Sequence, residues 1–328
     1  MAVLMSAKET FESTKERVKS QVKELQKTGV TPGFGIILTV GEDEDPILNK
    51  TQQMFAKLKS GDCKKVGIEA EVIPLYEECS SKDLQKGLIE HLDEMNVRDD
   101  ITGAIIQLPV SKYIVKFDAL QRLLPSKDVD GLTPHNVGIW MQDNYDIYNK
   151  DVPVPCTAAG IIELIDEWYS KTSDPRLEIS GKKAVVINKS YLIGKPTSKF
   201  FLERNATTTI CHAKTIDIGE ELRKADIIVS AVGRPPELYG EKDSFRLRYG
   251  IIKKGAVIIS VGLQKDPSSE KVYYDLPCEG DAEYERIMGT ASYVTPNVGG
   301  VGLKTRSRIL ENNVITANLC LKDISMQR

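Results

Sequence analysis

The sequence predicts an α/β protein of two domains, the second a doubly wound parallel sheet, with a C-terminal helix returning to the first. Three observations predict it. Strand-like apolar runs alternate with helical stretches up to about residue 108, the same alternation restarts after Gly181, and 328 residues would crowd one ordinary core.

Phe11, Val18, Val22 and Leu25 recur at helical spacing in a charged segment. Pro32 and Gly33 then break the pattern before the apolar run Phe34 to Val40, which reads as helix, turn and buried strand. A second helix spans about 47–66, an alternating strand covers 69–75, a helix carries Leu84, Leu88, Ile89 and Leu92, and the next strand is 101–108. Strands alternating with helices of this length imply right-handed crossovers and a parallel sheet. The segment 141–154 is polar, rich in Asn, Asp and Tyr, and runs into Pro153 and Pro155, which suits a connection between domains. A helix with Ile161, Ile162, Leu164, Ile165 and Trp168 follows. After Gly181 the pattern predicts strands at 183–187, 207–211, 226–232 and 256–261, with a helix at 197–204. A last helical stretch, about 304–321, comes after a Gly-rich loop and is long enough to pack back across the first domain.

The 44 basic and 47 acidic residues are interspersed and leave a net charge of -3, so no broad field faces nucleic acid or an anionic membrane, and small-molecule chemistry is favoured. The six cysteines are spread singly without zinc spacing, and three scattered histidines make no ligand set, so no metal is expected and a reducing compartment fits. No apolar run approaches the roughly 18 residues of a membrane span, and the N-terminus has no signal-peptide pattern. The expected location is the cytoplasm, or the mitochondrial matrix if a presequence has been removed.

Two constellations carry chemistry. In the second domain a buried strand leads into the turn Asn188, Lys189, Ser190, and then Gly194, Lys195 and Pro196 open a helix whose amides can hold a phosphate. The pattern is not GxGxxG, and a plain crossover has the same shape. Lys189 and Lys214 sit at the ends of adjacent strands, where a cation can meet a ribose phosphate. In the first domain Phe55 and Lys59 are four apart on one helix face, Gln107 closes a buried strand before Leu108 and Pro109, and Asp130 lies in the run KDVDG at 127–131. Singly these read as a surface lysine, a strand-end amide and a turn aspartate. Together they sit where strand ends open into the ligand crevice of an α/β sheet.

The runs GAIIQLP (103–109), KDVDGL (127–132), PCT (155–157), KSYLIGKP (189–196), CHAKT (211–215) and TPNVGGVG (295–302) occur in one order. In this the chain resembles the bifunctional methylene-tetrahydrofolate dehydrogenase/methenyl-tetrahydrofolate cyclohydrolase family, over roughly residues 5 to 325. The resemblance implies a catalytic, folate-binding domain of residues 1–151 plus 303–328 and a Rossmann-like NAD(P)-binding domain of residues 152–302. It also implies a folate cleft at their junction and a homodimer. The activity implied is oxidation of methylene-tetrahydrofolate to methenyl-tetrahydrofolate with NADP or NAD, then hydrolysis to formyl-tetrahydrofolate.

By the same resemblance Lys59 is the catalytic lysine, Gln107 the amide that bonds it, and Asp130 the carboxylate that grips the pterin. Phe55, Val298, Gly299, Gly302 and Thr305 join Asp130 in contacting the substrate. Lys189, Ser190, Ile193, Gly194, His212, Ala213, Lys214 and Gly233 face the cofactor. Each catalytic role makes physical sense: a semi-buried lysine can handle a proton near working pH, and a carboxylate accepts from the amino and ring N–H groups of a pterin. Cys156 matches a family cysteine and reads as a small buried thiol.

Several positions depart from the family pattern. Phe55 replaces a tyrosine, Gln52 a serine, Asn188 a glycine, Lys189 an arginine, Ala213 a serine and Ser260 an aspartate. The C-terminal loop gains Asn297 and Lys304 near the expected folate and cofactor surfaces and loses two prolines. With Val298 and Leu303, these changes frame a second reading, a non-catalytic member serving as a binding or structural subunit of a larger assembly.

Overall fold

The computed structural model describes residues 1–149 and 151–326. They form two compact units, one of Glu12–Cys156 with the chain from Arg306 onwards, the other of Met1–Phe11 with Thr157–Thr305.

The chain opens with β1 (Val3–Leu4) and α1 (Lys8–Lys27), whose buried face carries Phe11, Val18, Val22 and Leu25 at the spacing read from the sequence. The first of these units is built on β2 (Gly33–Leu38), which is buried along its whole length. Helix α2 (Pro46–Val66) connects it to β3 (Glu69–Pro74), and α3 (Leu75–Glu78) with α4 (Leu84–Val97) connects β3 to β4 (Gly103–Ile106). The resulting sheet has the order β3-β2-β4, with both pairings parallel. A central strand covered on both faces has no solvent side to mark with polar residues, so β2 reads as a continuous apolar run. Helix α2 starts where the Leu48 N–H donates to Asp45 Oδ1 at 2.9 Å with Pro46 in its first turn, and it stops at Gly67, whose φ of 89° suits a residue without Cβ. Two short helices, α5 (Lys116–Arg122) and α6 (Pro134–Trp140), flank the KDVDG run.

The other unit contains α7 (Cys156–Thr172), β5 (Lys183–Ile187), α8 (Gly194–Glu203), β6 (Thr207–Cys211), α9 (Ile218–Lys224), β7 (Ile227–Ser230), α10 (Pro236–Tyr239) and β8 (Val257–Ser260). It continues with a small antiparallel pair, β9 (Leu263–Lys265) and β10 (Val272–Tyr274), then α11 (Ala282–Thr290), β11 (Tyr293–Val294) and the start of α12 (Val301–Met326). The sheet order is β1-β11-β8-β7-β5-β6, and all its pairings are parallel. One face of this sheet packs Val185, Ile187, Ile228 and Ile258 with Leu222, Leu247 and Ile287 from the surrounding segments. Strand order reverses across β5, which has β6 on one side and β7 on the other, so the crevice at the carboxyl ends of β5 and β7 is the topological switch point.

The sequence reading placed residue 1 onwards with the first domain. The structure instead pairs Val3 with Tyr293 and Leu4 with Val294 at the edge of the six-stranded sheet. Val3 and Leu4 are 44% and 40% exposed, so this two-residue strand offers no burial pattern to read. The chain beyond Thr305 clusters with Glu12–Cys156.

Candidate active site

Lys59 lies on α2 and is 8% exposed, and its Nζ donates to Gln107 Oε1 at 2.8 Å. Gln107, 7% exposed, follows β4 directly; its N–H donates to the Ile37 carbonyl at 2.9 Å, which fixes the residue to the central strand. Two groups 48 positions apart thus meet because a helix and a strand end of one parallel sheet converge there. Phe55, half-buried, sits one turn before Lys59 on the same helix.

The KDVDG run is fixed residue by residue. Lys127 donates to the carbonyls of Met95 and Arg98 at 2.8 and 2.7 Å, closing the C-terminal end of α4, and burial pulls its ammonium below the ordinary lysine range. Asp128 accepts from the Thr133 N–H at 2.7 Å and from Asn136 Nδ2 at 3.0 Å; burial still pushes its carboxyl upward against those bonds. The Val129 carbonyl accepts from Asn312 Nδ2 on α12 at 2.7 Å. The Gly131 carbonyl accepts from Trp140 Nε1 at 2.8 Å, and at φ 64° a Cβ on Gly131 would lie 2.5 Å from the Pro153 oxygen. Asp130, 9% exposed, shares a side-chain hydrogen bond with the Cys156 thiol. The Cys156 thiol reports its neighbourhood: burial raises it well above the ordinary range, Asp130 adds to the rise, and Lys59 and Arg308 oppose it. Cys156 is 1% exposed, the small buried thiol read from the sequence.

The residues expected from the sequence to face a cofactor follow the carboxyl ends of β5, β6 and β7. Asn188 Nδ2 donates to the Ala231 carbonyl at 2.6 Å and its Oδ1 accepts from the Ser190 N–H at 2.6 Å, so one side chain ties the turn after β5 to the turn after β7. A Cβ on Gly194 would lie 1.9 Å from the Asn188 oxygen, so only glycine lets the turn fold onto the head of α8. Ser190 Oγ accepts from the Ile193 N–H at 3.1 Å, and Lys189 is exposed beside it. After β6, His212 Nδ1 accepts from the Lys214 N–H at 3.1 Å, leaving Ala213 and Lys214 exposed. Asp275, which sequence reasoning missed, is completely buried and accepts from Ser230 Oγ at 2.7 Å and from the Val232 and Gly233 N–H groups at 2.8 Å each. Burial pushes its carboxyl up against the pull of these bonds. The turn containing Gly233 is therefore set by a residue 42 positions away, which no local motif announces.

Residues 5–130 match the family model for the tetrahydrofolate dehydrogenase/cyclohydrolase catalytic domain, and residues 155–320 match that for its NAD(P)-binding domain. The chain belongs to the tetrahydrofolate dehydrogenase/cyclohydrolase family. It is 37% identical to the bifunctional protein FolD of Pyrobaculum islandicum over 100% of this chain and 99% of that one. Among solved structures it is similar to the bifunctional FolD of Campylobacter jejuni, with TM-score 0.77, 29% identity and coverage of 97% and 99%. It is equally similar to the Trypanosoma brucei methylenetetrahydrofolate dehydrogenase-cyclohydrolase complexed with NADP cofactor and inhibitor, with TM-score 0.77, 27% identity and 97% coverage of both chains.

The family's C-terminal loop is altered in a way the structure explains only in part. Val298 is 71% exposed, the Gly299 carbonyl accepts from the Ala7 N–H at 2.8 Å, Gly302 is exposed in the first turn of α12, and Thr305 Oγ1 donates to the Val301 carbonyl at 3.1 Å. Lys304 does not face a ligand surface as the sequence reading expected. It is 4% exposed and its Nζ pairs with Glu167 Oε2 at 2.7 Å, because the close approach of α12 to Gly160 turns it into α7. Burial alone would raise the Glu167 carboxyl, but Lys171, Lys304 and Thr10 hold it below the ordinary range. A carboxyl lowered in this way stabilises the fold above its unfolded pKa of about 4.3, and that contribution fades as pH falls through the lower folded value. Lys304→Met, which keeps the length of the side chain but not its charge, is expected to cost about 2 kcal/mol at pH 7 and to flatten the acid limb of the stability curve. Urea unfolding at pH 7 and pH 3 checks both; equal stability at pH 7 would show that the pair contributes nothing.

Among the described residues no group of three or more His, Cys, Asp or Glu side chains is placed to hold a metal ion, and no helix is long and apolar enough to cross a membrane.

Proposed function

We propose that the chain oxidises methylene-tetrahydrofolate to methenyl-tetrahydrofolate with NAD(P) and hydrolyses the product to formyl-tetrahydrofolate, using Lys59, Gln107 and Asp130. The observation that supports these roles best is the buried 2.8 Å contact from Lys59 to Gln107. In the hydrolytic step Lys59 moves a proton at the water that adds to the methenyl carbon, and Gln107 holds its Nζ in one direction. Asp130 accepts from the donor edge of the pterin and so orients the one-carbon bridge. The bound nicotinamide supplies the hydride acceptor; the chain's own task in that step is geometry.

The switch-point turns suit a dinucleotide. Gly194 clears the approach to the first turn of α8, and Lys189 and Lys214 leave cations exposed at the ends of β5 and β6 for a ribose phosphate. We place the protein in one-carbon metabolism of the cytoplasm as a homodimer; six cysteines outside any disulfide agree with a reducing compartment.

Purified protein incubated with methylene-tetrahydrofolate and NAD or NADP is expected to generate reduced cofactor, followed at its own absorbance, with formyl-tetrahydrofolate accumulating. Absence of reduced cofactor with both nucleotides would sink the proposal.

A further inference from the structure

We propose that Gln52 is a positioning residue for the hydrolytic step, an inference that rests on the roles given to Lys59 and Gln107. Gln52 lies two turns before Lys59 on α2 and is 2% exposed. Its Nε2 donates to the Gln107 carbonyl at 3.2 Å and to the Pro109 carbonyl at 2.6 Å. Two carbonyl acceptors identify that end of the amide as the nitrogen, because an oxygen there would face two other oxygens.

Helix α2 therefore grips the segment leaving β4 twice. Lys59 holds the Gln107 side chain and Gln52 holds its backbone, while Gln107 Nε2 donates to the Leu108 carbonyl at 3.3 Å. Gln52 thus sets where Gln107 Oε1 stands relative to the Lys59 ammonium. Its own Oε1 is buried with no hydrogen-bond partner among the described residues. A buried acceptor is disfavoured until it finds a donor. That oxygen remains to accept from a donor brought in with the substrate or its water. Hydrolysis depends on proton handling at hydrogen-bond distance, whereas hydride transfer does not, so disturbing this grip affects the two steps unequally.

The test compares Gln52→Met, of similar length but without donors, and the smaller Gln52→Ala with the parent enzyme. Circular dichroism confirms folding, and the Ala variant carries the test if the Met variant does not fold. The expected result is a cyclohydrolase kcat lower by about tenfold with folate KM little changed, so that the cyclohydrolase-to-dehydrogenase ratio falls. Gln52→Glu adds a signature that a purely structural role does not predict. Its protonated carboxyl can donate to one carbonyl, but its ionised form repels both, so hydrolysis acquires a loss with rising pH that the parent enzyme lacks. Lys59→Met is assayed in parallel. If that variant still hydrolyses methenyl-tetrahydrofolate, the underlying reading fails. If it does not, while folded Gln52 variants keep the parent ratio and pH profile, the role of Gln52 alone is overturned.

Discussion

Lys59→Met is expected to abolish hydrolysis of methenyl-tetrahydrofolate, lowering turnover by at least about 10²-fold, while leaving the folded structure in place. Positioned proton transfer typically contributes between about 10² and 10⁴ in rate, and methionine has no proton to move. The substitution suits the site because Lys59 is 8% exposed and its aliphatic stem is buried with it. Methionine preserves most of that stem, and the Gln107 amide loses one donor but keeps its backbone tie to Ile37. Stability is expected to change by less than about 1 kcal/mol. Single-turnover hydrolysis measured beside a thermal melt checks the statement; a folded variant with parent turnover would remove Lys59 from the mechanism.

Asp275→Ala is expected to produce the largest loss of stability, about 3 kcal/mol, together with a raised KM for the nicotinamide cofactor. The carboxylate is the partner of the Ser230 hydroxyl and of the Val232 and Gly233 N–H groups, and removing it leaves these buried donors unpaired. Gly262 packs so closely against it that a Cβ there would lie 2.3 Å from Asp275 Oδ2, so a water has little room to substitute. Asp275→Asn keeps the shape but turns an NH2 group towards one of the donors. It is expected to show a smaller loss of stability and an intermediate cofactor KM. Urea unfolding combined with cofactor titration separates the cases; an Ala variant with parent stability and KM would mean that the turn after β7 holds its shape without help.

These two residues illustrate what the sequence disclosed. The contact between Lys59 and Gln107 could be anticipated because Gln107 lies in a run shared with the family and closes a strand, while helical spacing puts Lys59 on one face of α2. The buried strands were legible for a related reason: β2, β7 and β8 are buried along their whole length, β5 is buried after Lys183, and each carries a run of apolar residues. Asp275, Gln52 and Asn312 were not legible as supports. Each works by bonding backbone groups that are remote in sequence, and a backbone carbonyl or N–H carries no residue-type signal. Strand β1 escaped because two half-exposed residues have no period, and the β9–β10 pair because three partly buried residues per strand resemble any surface loop. Asn188 looked like damage to a glycine turn, yet both ends of its amide are bonded in a way that glycine cannot reproduce. Lys304 was expected near the ligand surfaces because its loop is, and nothing local in the sequence announces its partner Glu167 on α7.

The Asn312 amide reaches the Val129 carbonyl across 183 positions and also bonds the Val154 carbonyl at 3.0 Å. A ribosome delivers the segment bearing Asp130 long before it delivers this clamp, so the KDVDG turn stays unfinished in the nascent chain until Asn312 emerges. Translation that stops early therefore releases a product whose turn was never completed. Completion of that turn waits on the last helix of the fold, because both carbonyls share the one Asn312 donor.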